Sequence, residues 1–324
     1  QLKSMQERLK KNRKALPLAG AAVALVVSCA AAPIDGDQDA RAPGYASVID
    51  LPFVTNRAID INWRDERYYS NELGGLSGGR CKVGLKPGKD GEGELIGTES
   101  STVLETMASL EPYRDSGIVV YFHGYYEDFE RSCRRAATFK RRLALGDGFL
   151  LFSWPANSTP LTYGDDVADL EASTPVFLDF LNELGRRHGA ENISIVGHSL
   201  GTRGLVKALS EWPAGASRFR NLVLIAADID REQFVDAVPI LKEHIDEITV
   251  LVSDRDLALR VSETVNAAPR LGQSDGVVID GVTFFDVTEI ADRHLTGHIY
   301  HLRNDGVIEI IRRVLIDDDG PSRP

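Results

Sequence analysis

The segment NISIVGHSLG (192–201) has the features of a buried strand that turns sharply into a helix. Its first six residues are mostly apolar and β-branched, and a helical pattern begins at Leu200. Gly197 and Gly201 flank Ser199 in the pattern G-x-S-x-G, which in this setting holds a serine in a strained turn with its hydroxyl exposed. Side chains at the two glycines would collide with neighbouring backbone. The new helix would point its positive end at the serine.

The same pattern occurs a second time in the chain, so the pentapeptide alone does not identify a nucleophile. Gly75-Leu76-Ser77-Gly78-Gly79 also fits, but it follows no apolar strand and precedes no helix. We therefore predict a loop at Ser77 and a nucleophile at Ser199. The alternative for Ser199 is an ordinary tight turn whose serine caps the helix.

Short β-branched runs alternate with long amphipathic segments on both sides of this strand. Such alternation predicts an α/β fold with a mostly parallel, doubly wound sheet that is buried on both faces. Its ligands are expected at the carboxyl ends of the strands. The predicted strands are GIVVYF (117–122), GFLLFSW (148–154), NISIVG (192–197), NLVLIA (221–226), EITVLVS (247–253) and VTFFDV (282–287), and the predicted helices cover 127–145, 165–188, 200–211, 231–245, 256–267 and 305–316.

Residues 48–115 predict a small β-rich extension ahead of the main domain, which we place at 116–324. Short apolar stretches between 48 and 87 are split by the glycine-rich LGGLSGG (73–79), which indicates strands and turns in an accessory layer. The segment KPGKDGEGE (86–94) is typical of a loop.

A serine hydroxyl is a weak nucleophile without a general base, and the base needs a carboxylate to orient it. After a serine at a strand–helix turn, the carboxylate and then a histidine are expected at later strand ends. Asp254 and Asp256 both follow EITVLVS, and Asp228 follows the preceding strand. All three are candidates for the orienting acid, and one of the first two is expected only to cap a helix.

Three histidines lie beyond the last predicted strand, namely His294, His298 and His301. We favour His298 as the base, because Gly297 before it lets the loop turn back over the site.

An oxyanion needs preorganised donors. The backbone N–H of Leu200, directly after the serine, would supply one. The loop after GIVVYF would supply the other. His123-Gly124 in this loop resembles the oxyanion loop of lipases and esterases, which implies the N–H of Tyr125 as the donor, with Gly124 allowing close approach. The alternative for His123-Gly124 is a simple turn at the end of a strand.

Composition indicates a globular protein and excludes some partners. The chain has 324 residues, of which 43% are hydrophobic, with 37 Lys and Arg against 48 Asp and Glu. The formal net charge of −11 repels phosphate backbones, so nucleic acid is not expected as a partner.

The first residues predict export and a lipid anchor. Six cations precede a mostly apolar run over 15–27, which is too short for a spanning helix and is typical of a signal peptide. The run ends in VVSC (26–29), which resembles a bacterial lipobox. We therefore predict a signal peptide over 1–28, lipid on Cys29 and a flexible tether over 29–47, with the protein anchored on the periplasmic side of the cell envelope, in the outer membrane. The alternatives are a cleaved soluble form, an uncleaved signal anchor and, for Cys29, a small buried cysteine. The cations are Lys3, Arg8, Lys10, Lys11, Arg13 and Lys14.

Export changes the interpretation of the two remaining cysteines. Cys81 and Cys133 would form a disulfide in an oxidising periplasm and stay reduced in cytosol. Neither belongs to a Cys-x-x-Cys or Cys/His cluster, so no metal site is expected.

The chain resembles the α/β-hydrolases, and more narrowly the bacterial esterase/lipase-superfamily branch of unknown function. The resemblance implies Asp256 as the acid and His298 as the base. Two departures from the family pattern are Ala227, where proline is usual, and Leu200, where methionine is common. The resembling segments are FVTNR (53–57), LSGGRCKVGL (76–85), YFHGYYEDFERSCRRAA (121–137), FSWPANSTPLTYGDD (152–166), VGHSLGTRGL (196–205), LIAADID (224–230), LVSDRDLALRVS (251–262), RLG (270–272) and GHIY (297–300).

These observations predict a serine hydrolase that cleaves small-molecule carboxylic esters through an acyl-enzyme, without a metal or an organic cofactor. The same catalytic groups would serve a serine peptidase, an amidase or an acyltransferase. A further alternative is a non-catalytic envelope protein that binds through Tyr125, Tyr126 and Phe129. No protein partner can be inferred. The sequence lacks an obvious hydrophobic lid, which favours small soluble esters.

Overall fold

The computed structural model describes five ranges of the chain, which are 45–60, 69–87, 93–213, 215–291 and 296–316. The predicted signal peptide, most of the predicted tether, Cys29 and His294 lie outside the described residues.

The described strands form one mixed sheet. Its strands are β1 (Ser47–Ile59), β2 (Tyr69–Leu85), β3 (Gly93–Ser101), β4 (Ile118–Phe122), β5 (Phe149–Ser153), β6 (Ile193–His198), β7 (Phe219–Ile225), β8 (Ile245–Val252) and β9 (Val282–Asp286). Their order across the sheet is β3-β2-β1-β5-β4-β6-β7-β8-β9. The pairs β1–β2 and β2–β3 are antiparallel, and every other pair is parallel. The predicted fold class, a mostly parallel sheet with a β-rich N-terminal side, is confirmed.

Helices cover both faces of this sheet. They are α1 (Val103–Ala108), α2 (Phe129–Leu143), α3 (Tyr163–His188), α4 (Leu200–Ser210), α5 (Arg231–His244), α6 (Leu257–Asn266) and α7 (Asp305–Ile316). Within the described ranges, no helix combines the length and the hydropathy that crossing a membrane requires. Each of the six predicted helices is present with its ends shifted by no more than two residues, as the 3.6-residue period indicated.

Two separate cores result from the alternation of side chains along the strands. The neighbouring residues Val120 and Tyr121 of β4 point into different cores. The first core lies under α3, α4 and α5, and the second lies under α2 and α7. Representative helix residues are Phe177, Leu205 and Phe234 in the first core, and Phe139 and Ile311 in the second.

The N-terminal strands correct one expectation, because they form no separate layer. Strand β1 pairs in parallel with β5, with Phe53 opposite Leu151 and Thr55 opposite Ser153. The extension therefore widens the sheet itself. The division of the chain at residue 115 stays a prediction.

The prediction of a loop at Ser77 is wrong, because the whole of LGGLSGG (73–79) lies in β2. The glycines permit close packing rather than a turn. A Cβ on Gly78 would come to 2.2 Å from Thr106 Oγ1, and one on Gly79 to 2.1 Å from the Glu99 carbonyl oxygen. Glycine in a strand commonly marks such close approach. The end of the predicted loop at 86–94 also belongs to a strand, since β3 begins at Gly93.

A disulfide ties the extension to the main domain. Cys81 of β2 is bonded to Cys133 of α2, with their Cα atoms 6.2 Å apart. Both residues are buried in the second core.

Candidate active site

Ser199 occupies a strained turn between β6 and α4. Its backbone has φ +52° and ψ −127°, a conformation that is rare for a residue with a Cβ. The Ser199 N–H donates to the Ile225 carbonyl at 3.0 Å, and the Ser199 carbonyl accepts from the Asp228 N–H at 3.2 Å. These bonds fix the turn to the end of β7.

The two flanking glycines are required for different reasons. A Cβ on Gly201 would lie 2.3 Å from the carbonyl oxygen of His123, which is the backbone collision that the sequence predicts. A Cβ on Gly197 would first meet a side chain, at 2.7 Å from Leu205 Cδ1. Both sites therefore exclude larger residues, the first through backbone and the second mainly through core packing.

The structure brings His298 and Asp256 to Ser199 in one hydrogen-bonded chain. His298 Nε2 lies 2.7 Å from Ser199 Oγ, and His298 Nδ1 lies 2.7 Å from Asp256 Oδ2. All three side chains are buried. Asp256 also caps α6, because its Oδ1 accepts from the Leu259 N–H at 3.1 Å.

The other candidate acids do not orient His298, although Asp228 lines the same cavity as Ser199. Asp254 is exposed, and its backbone N–H donates to Thr288 Oγ1. Asp228 is buried but accepts from the Tyr163 hydroxyl at 3.0 Å and the Ser262 hydroxyl at 2.5 Å. Neither of the two is hydrogen-bonded to His298 within the described residues.

The loop that carries His298 is held from several sides. Gly297 has φ +62°, and a Cβ there would lie 2.4 Å from the Arg255 carbonyl oxygen. The Tyr300 hydroxyl accepts from the Ala226 N–H at 2.9 Å and donates to the Leu251 carbonyl at 3.1 Å. Tyr300 therefore ties the loop that carries the imidazole to the backbone of β8 and to the residue directly after β7.

The surroundings of His298 favour its protonated form. Burial opposes the charge, but the Asp256 carboxylate, through its charge and its hydrogen bond, outweighs burial and raises the pKa of His298 above 6.5. The imidazole is thus prepared to hold a proton next to Ser199.

The loop after β4 packs directly against the serine. A Cβ on Gly124 would lie 2.8 Å from Ser199 Cβ. His123 fixes this loop, because its Nδ1 donates to the Gly124 carbonyl at 2.8 Å and its Nε2 accepts from the Trp154 N–H at 3.1 Å. Within the described part of the chain, the backbone N–H groups of Leu200 and Tyr125 have no partner, so both are available to a ligand oxygen.

Sequence reasoning missed a buried polar cluster behind the site. The ring centroids of His198 and His301 are 4.4 Å apart, and His198 Nε2 donates to the His298 carbonyl at 3.2 Å. Glu127 lies nearby, with its Oε1 3.9 Å from His198 Nδ1 and 2.7 Å from Arg135. Burial holds the pKa of both His198 and His301 well below 6.5. His301, a candidate base in the sequence, therefore supports the His298 loop from behind.

A cavity of about 360 Å³ opens beside Ser199 and His298. Tyr125 and Tyr163 form part of its wall, with their rings 5.5 Å apart. Much of the remaining lining comes from α6, and it is mainly apolar. The nucleophile candidate is thus accessible to a small organic ligand.

Several solved structures are similar to the chain. A ferulic acid esterase has 10% identity and a TM-score of 0.41, and the match covers 83% of this chain and 98% of that one. A cold-adapted esterase from an Arctic intertidal metagenomic library has 14% identity and a TM-score of 0.37, covering 83% and 95%. The RedJ thioesterase of Streptomyces coelicolor has 14% identity and a TM-score of 0.32, covering 61% and 85%. No curated protein matches the chain.

The family assignment does not depend on these structures. The model of a family described as alpha/beta hydrolase of unknown function (DUF900) matches residues 98–315, which is well over half of the chain and includes every residue of the site. The chain therefore belongs to this family of α/β-hydrolases.

Proposed function

We propose that the protein is a serine hydrolase that cleaves carboxylic esters through an acyl-enzyme. One observation carries the proposal. Ser199, His298 and Asp256 form a continuous chain of two 2.7 Å hydrogen bonds, with the serine at a cavity. This arrangement combines a nucleophile, a base within reach of its proton and a carboxylate that orients the base.

In the acylation step, Ser199 Oγ attacks the ester carbonyl carbon while His298 Nε2 takes the hydroxyl proton. The negative oxygen of the tetrahedral intermediate accepts from the N–H groups of Leu200 and Tyr125. The intermediate then expels the alcohol, which takes the proton from His298. Asp256 keeps the imidazole in the required tautomer and stabilises its charge.

In the deacylation step, a water molecule repeats the sequence. His298 takes a proton from the water, whose oxygen attacks the acyl carbon. The same proton then returns to Ser199 Oγ as the carboxylic acid leaves. Every proton is moved by the chain's own groups, so the cycle requires no metal or organic cofactor.

The first test is covalent labelling of the full chain with a fluorophosphonate, read by intact mass. We expect one adduct on the wild type, none on Ser199→Ala and one on Ser77→Ala, the matched control whose serine lies in β2. A folded wild type that takes no label would contradict an activated serine, and the chain would then be better described as a binding protein that keeps a hydrolase fold.

A second test separates esters from amides. The proposal expects turnover of carboxylic esters, with little turnover of amides that have the same acyl group. Preferential amide cleavage would identify a peptidase or amidase, and transfer of the acyl group to an added alcohol in place of water would identify an acyltransferase.

We also propose that the protein is anchored by lipid on Cys29, on the periplasmic side of the envelope. The basic and apolar pattern before Cys29 supports this, as does the Cys81–Cys133 disulfide, because such bonds persist in oxidising compartments. Metabolic labelling with a clickable fatty acid tests it. The wild type should incorporate the label and Cys29→Ala should not, whereas equal incorporation would contradict the anchor.

A further inference from the structure

Helix α6 presents an apolar stripe to solvent. Leu257, Val261 and Val265 recur every four residues, so they lie on one face of the helix. Their exposed fractions are 50%, 64% and 66%. Leu259 and Ser262, on the other face, are buried. The helix thus packs through one face and leaves a second face uncovered by the described residues, and this second face is apolar where a surface helix usually carries polar side chains.

This stripe belongs to the cavity that holds the site. Leu257, Val261 and Val265 all line the same cavity as Ser199 and His298. The helix begins directly after Asp256, so its first turn is fixed to the hydrogen-bonded chain through the carboxylate. The stripe therefore leads away from the reacting groups along the surface.

The length of the stripe indicates the size of its ligand. Leu257 and Val265 are eight positions apart along the helix, which corresponds to about 12 Å. An extended alkyl chain of that length has roughly ten carbons, given a carbon–carbon bond of about 1.5 Å. The cavity volume of about 360 Å³ lies in the range of small-molecule sites.

We propose that the α6 stripe, Leu257, Val261 and Val265, binds the aliphatic chain of the substrate, and that the substrates are esters with a medium-length alkyl chain. This inference rests on the proposed ester hydrolysis. The chemistry recognised is an unbranched hydrocarbon chain, which either the acyl or the alcohol part of the ester can supply. Small soluble esters, which the lack of a lid pattern favoured, would leave the stripe uncovered.

The experiment measures kcat/KM for two ester series with the full chain, with every substrate below its solubility limit. One series extends the acyl part at constant alcohol, and the other extends the alcohol at constant acetyl group. In one of the two, kcat/KM should rise by up to about fourfold per methylene, the factor expected when each methylene is buried against an apolar wall. The rise should end near ten carbons.

Two variants and one control assign the effect to the stripe. In Val261→Asp and Val265→Asp a charge replaces apolar wall, so the kcat/KM ratio of the longest to the shortest ester should fall at least about tenfold. Val235→Asp adds the same charge at an exposed valine on α5 and should keep the wild-type ratio.

The possible outcomes distinguish failure of the chain-binding stripe from failure of the proposed serine hydrolase. A wild type that takes the fluorophosphonate and cleaves short esters, but shows no rise with chain length in either series, would overturn the chain-binding stripe and leave the serine hydrolase intact. A rise that both α6 variants retain would also overturn it, because another wall would then bind the chain. Absence of labelling would instead overturn the hydrolase itself.

Discussion

The position of Ser199 depends on a glycine that is distant in sequence, Gly124. Gly124 allows the loop after β4 to touch the serine, and a Cβ there would lie 2.8 Å from Ser199 Cβ and 3.0 Å from His198 Nδ1. Gly124→Ala must therefore displace the loop or the serine. We expect kcat to fall about 100-fold, as small displacements of reacting groups can cost that much.

The matched control is Gly146→Ala, because a Cβ at Gly146 would meet nothing within 4 Å. Steady-state kinetics on one ester measure both variants. Equal kcat values for the two would show that close packing at Gly124 does not position the serine.

Asp256 is expected to act through the orientation and charge of His298. Asn in place of Asp256 can still cap α6, so the fold should be retained. It removes the carboxylate and favours the wrong imidazole tautomer, so kcat should fall by about 10⁴. Asp254→Asn, in the exposed carboxylate two residues earlier, should have wild-type kcat. A small effect at Asp256 with a large one at Asp254 would reverse the assignment.

The pH profile should reflect the raised pKa of His298. The base must be neutral to take the serine proton, so kcat/KM should fall as pH drops through the pKa of the free enzyme. Since the Asp256 carboxylate raises that pKa against the effect of burial, the midpoint should lie above 6.5. A rate that stays constant from mildly acidic to alkaline pH would contradict a histidine base.

For individual residues, the sequence predicts the position of a catalytic candidate well when that residue follows a predicted strand. Ser199, His298 and Asp256 come together because each follows a strand of the same sheet edge. Choosing among three aspartates needs side-chain directions, which strand periodicity does not give. The partner of His301 is likewise hidden, because its neighbours come from β4 and α2, far away in sequence.

At the scale of elements, the disulfide between β2 and α2 should add stability. It closes a loop across a separation of 52 residues, for which the chain-entropy model gives about 4 kcal/mol. Replacing both cysteines by alanine should lower the urea midpoint, measured by circular dichroism. The wild type in reductant should show the same loss. Unchanged midpoints in both would mean that the bond does not constrain the unfolded chain.

Two elements show the limits of local patterns. The sequence of β2 contains LGGLSGG, which is typical of a loop, yet it forms a strand in which α1 crowds Gly78 and β3 crowds Gly79. The pattern of α6 correctly predicts a helix, but its period alone does not tell which apolar residues remain exposed. Both outcomes depend on neighbours that are distant along the chain.

At the scale of the whole molecule, buried histidines should make the protein sensitive to acid. Burial lowers the pKa of His123, His198 and His301 well below 6.5 in the folded state. The unfolded chain therefore binds more protons below its histidine pKa of about 6.5, and stability falls as pH falls through that value. Three such groups give a slope of up to about 4 kcal/mol per pH unit.

Urea unfolding at a series of pH values measures this slope. His298 contributes in the opposite direction, because its folded pKa is raised, so its stabilisation is present below the unfolded pKa and is lost as pH rises through the folded one. Burial raises the pKa of Glu127, and that of Asp169 to about 6, so these two carboxyl groups also oppose the slope. Burial lowers the pKa of His188, which adds to the slope, so four lowered groups stand against three raised ones. Stability that increases on mild acidification would contradict the burial of the four lowered histidines in neutral form.

The pairing of β1 with β5 affects how the molecule behaves among its own copies. Without β1, the apolar strand FLLFS (149–153) would be the last strand on its side and would offer unpaired backbone groups to any passing chain. The N-terminal extension pairs with this strand and satisfies its backbone groups. The Cys81–Cys133 disulfide ties the extension to α2, so β1 stays close to β5 even when their hydrogen bonds open locally.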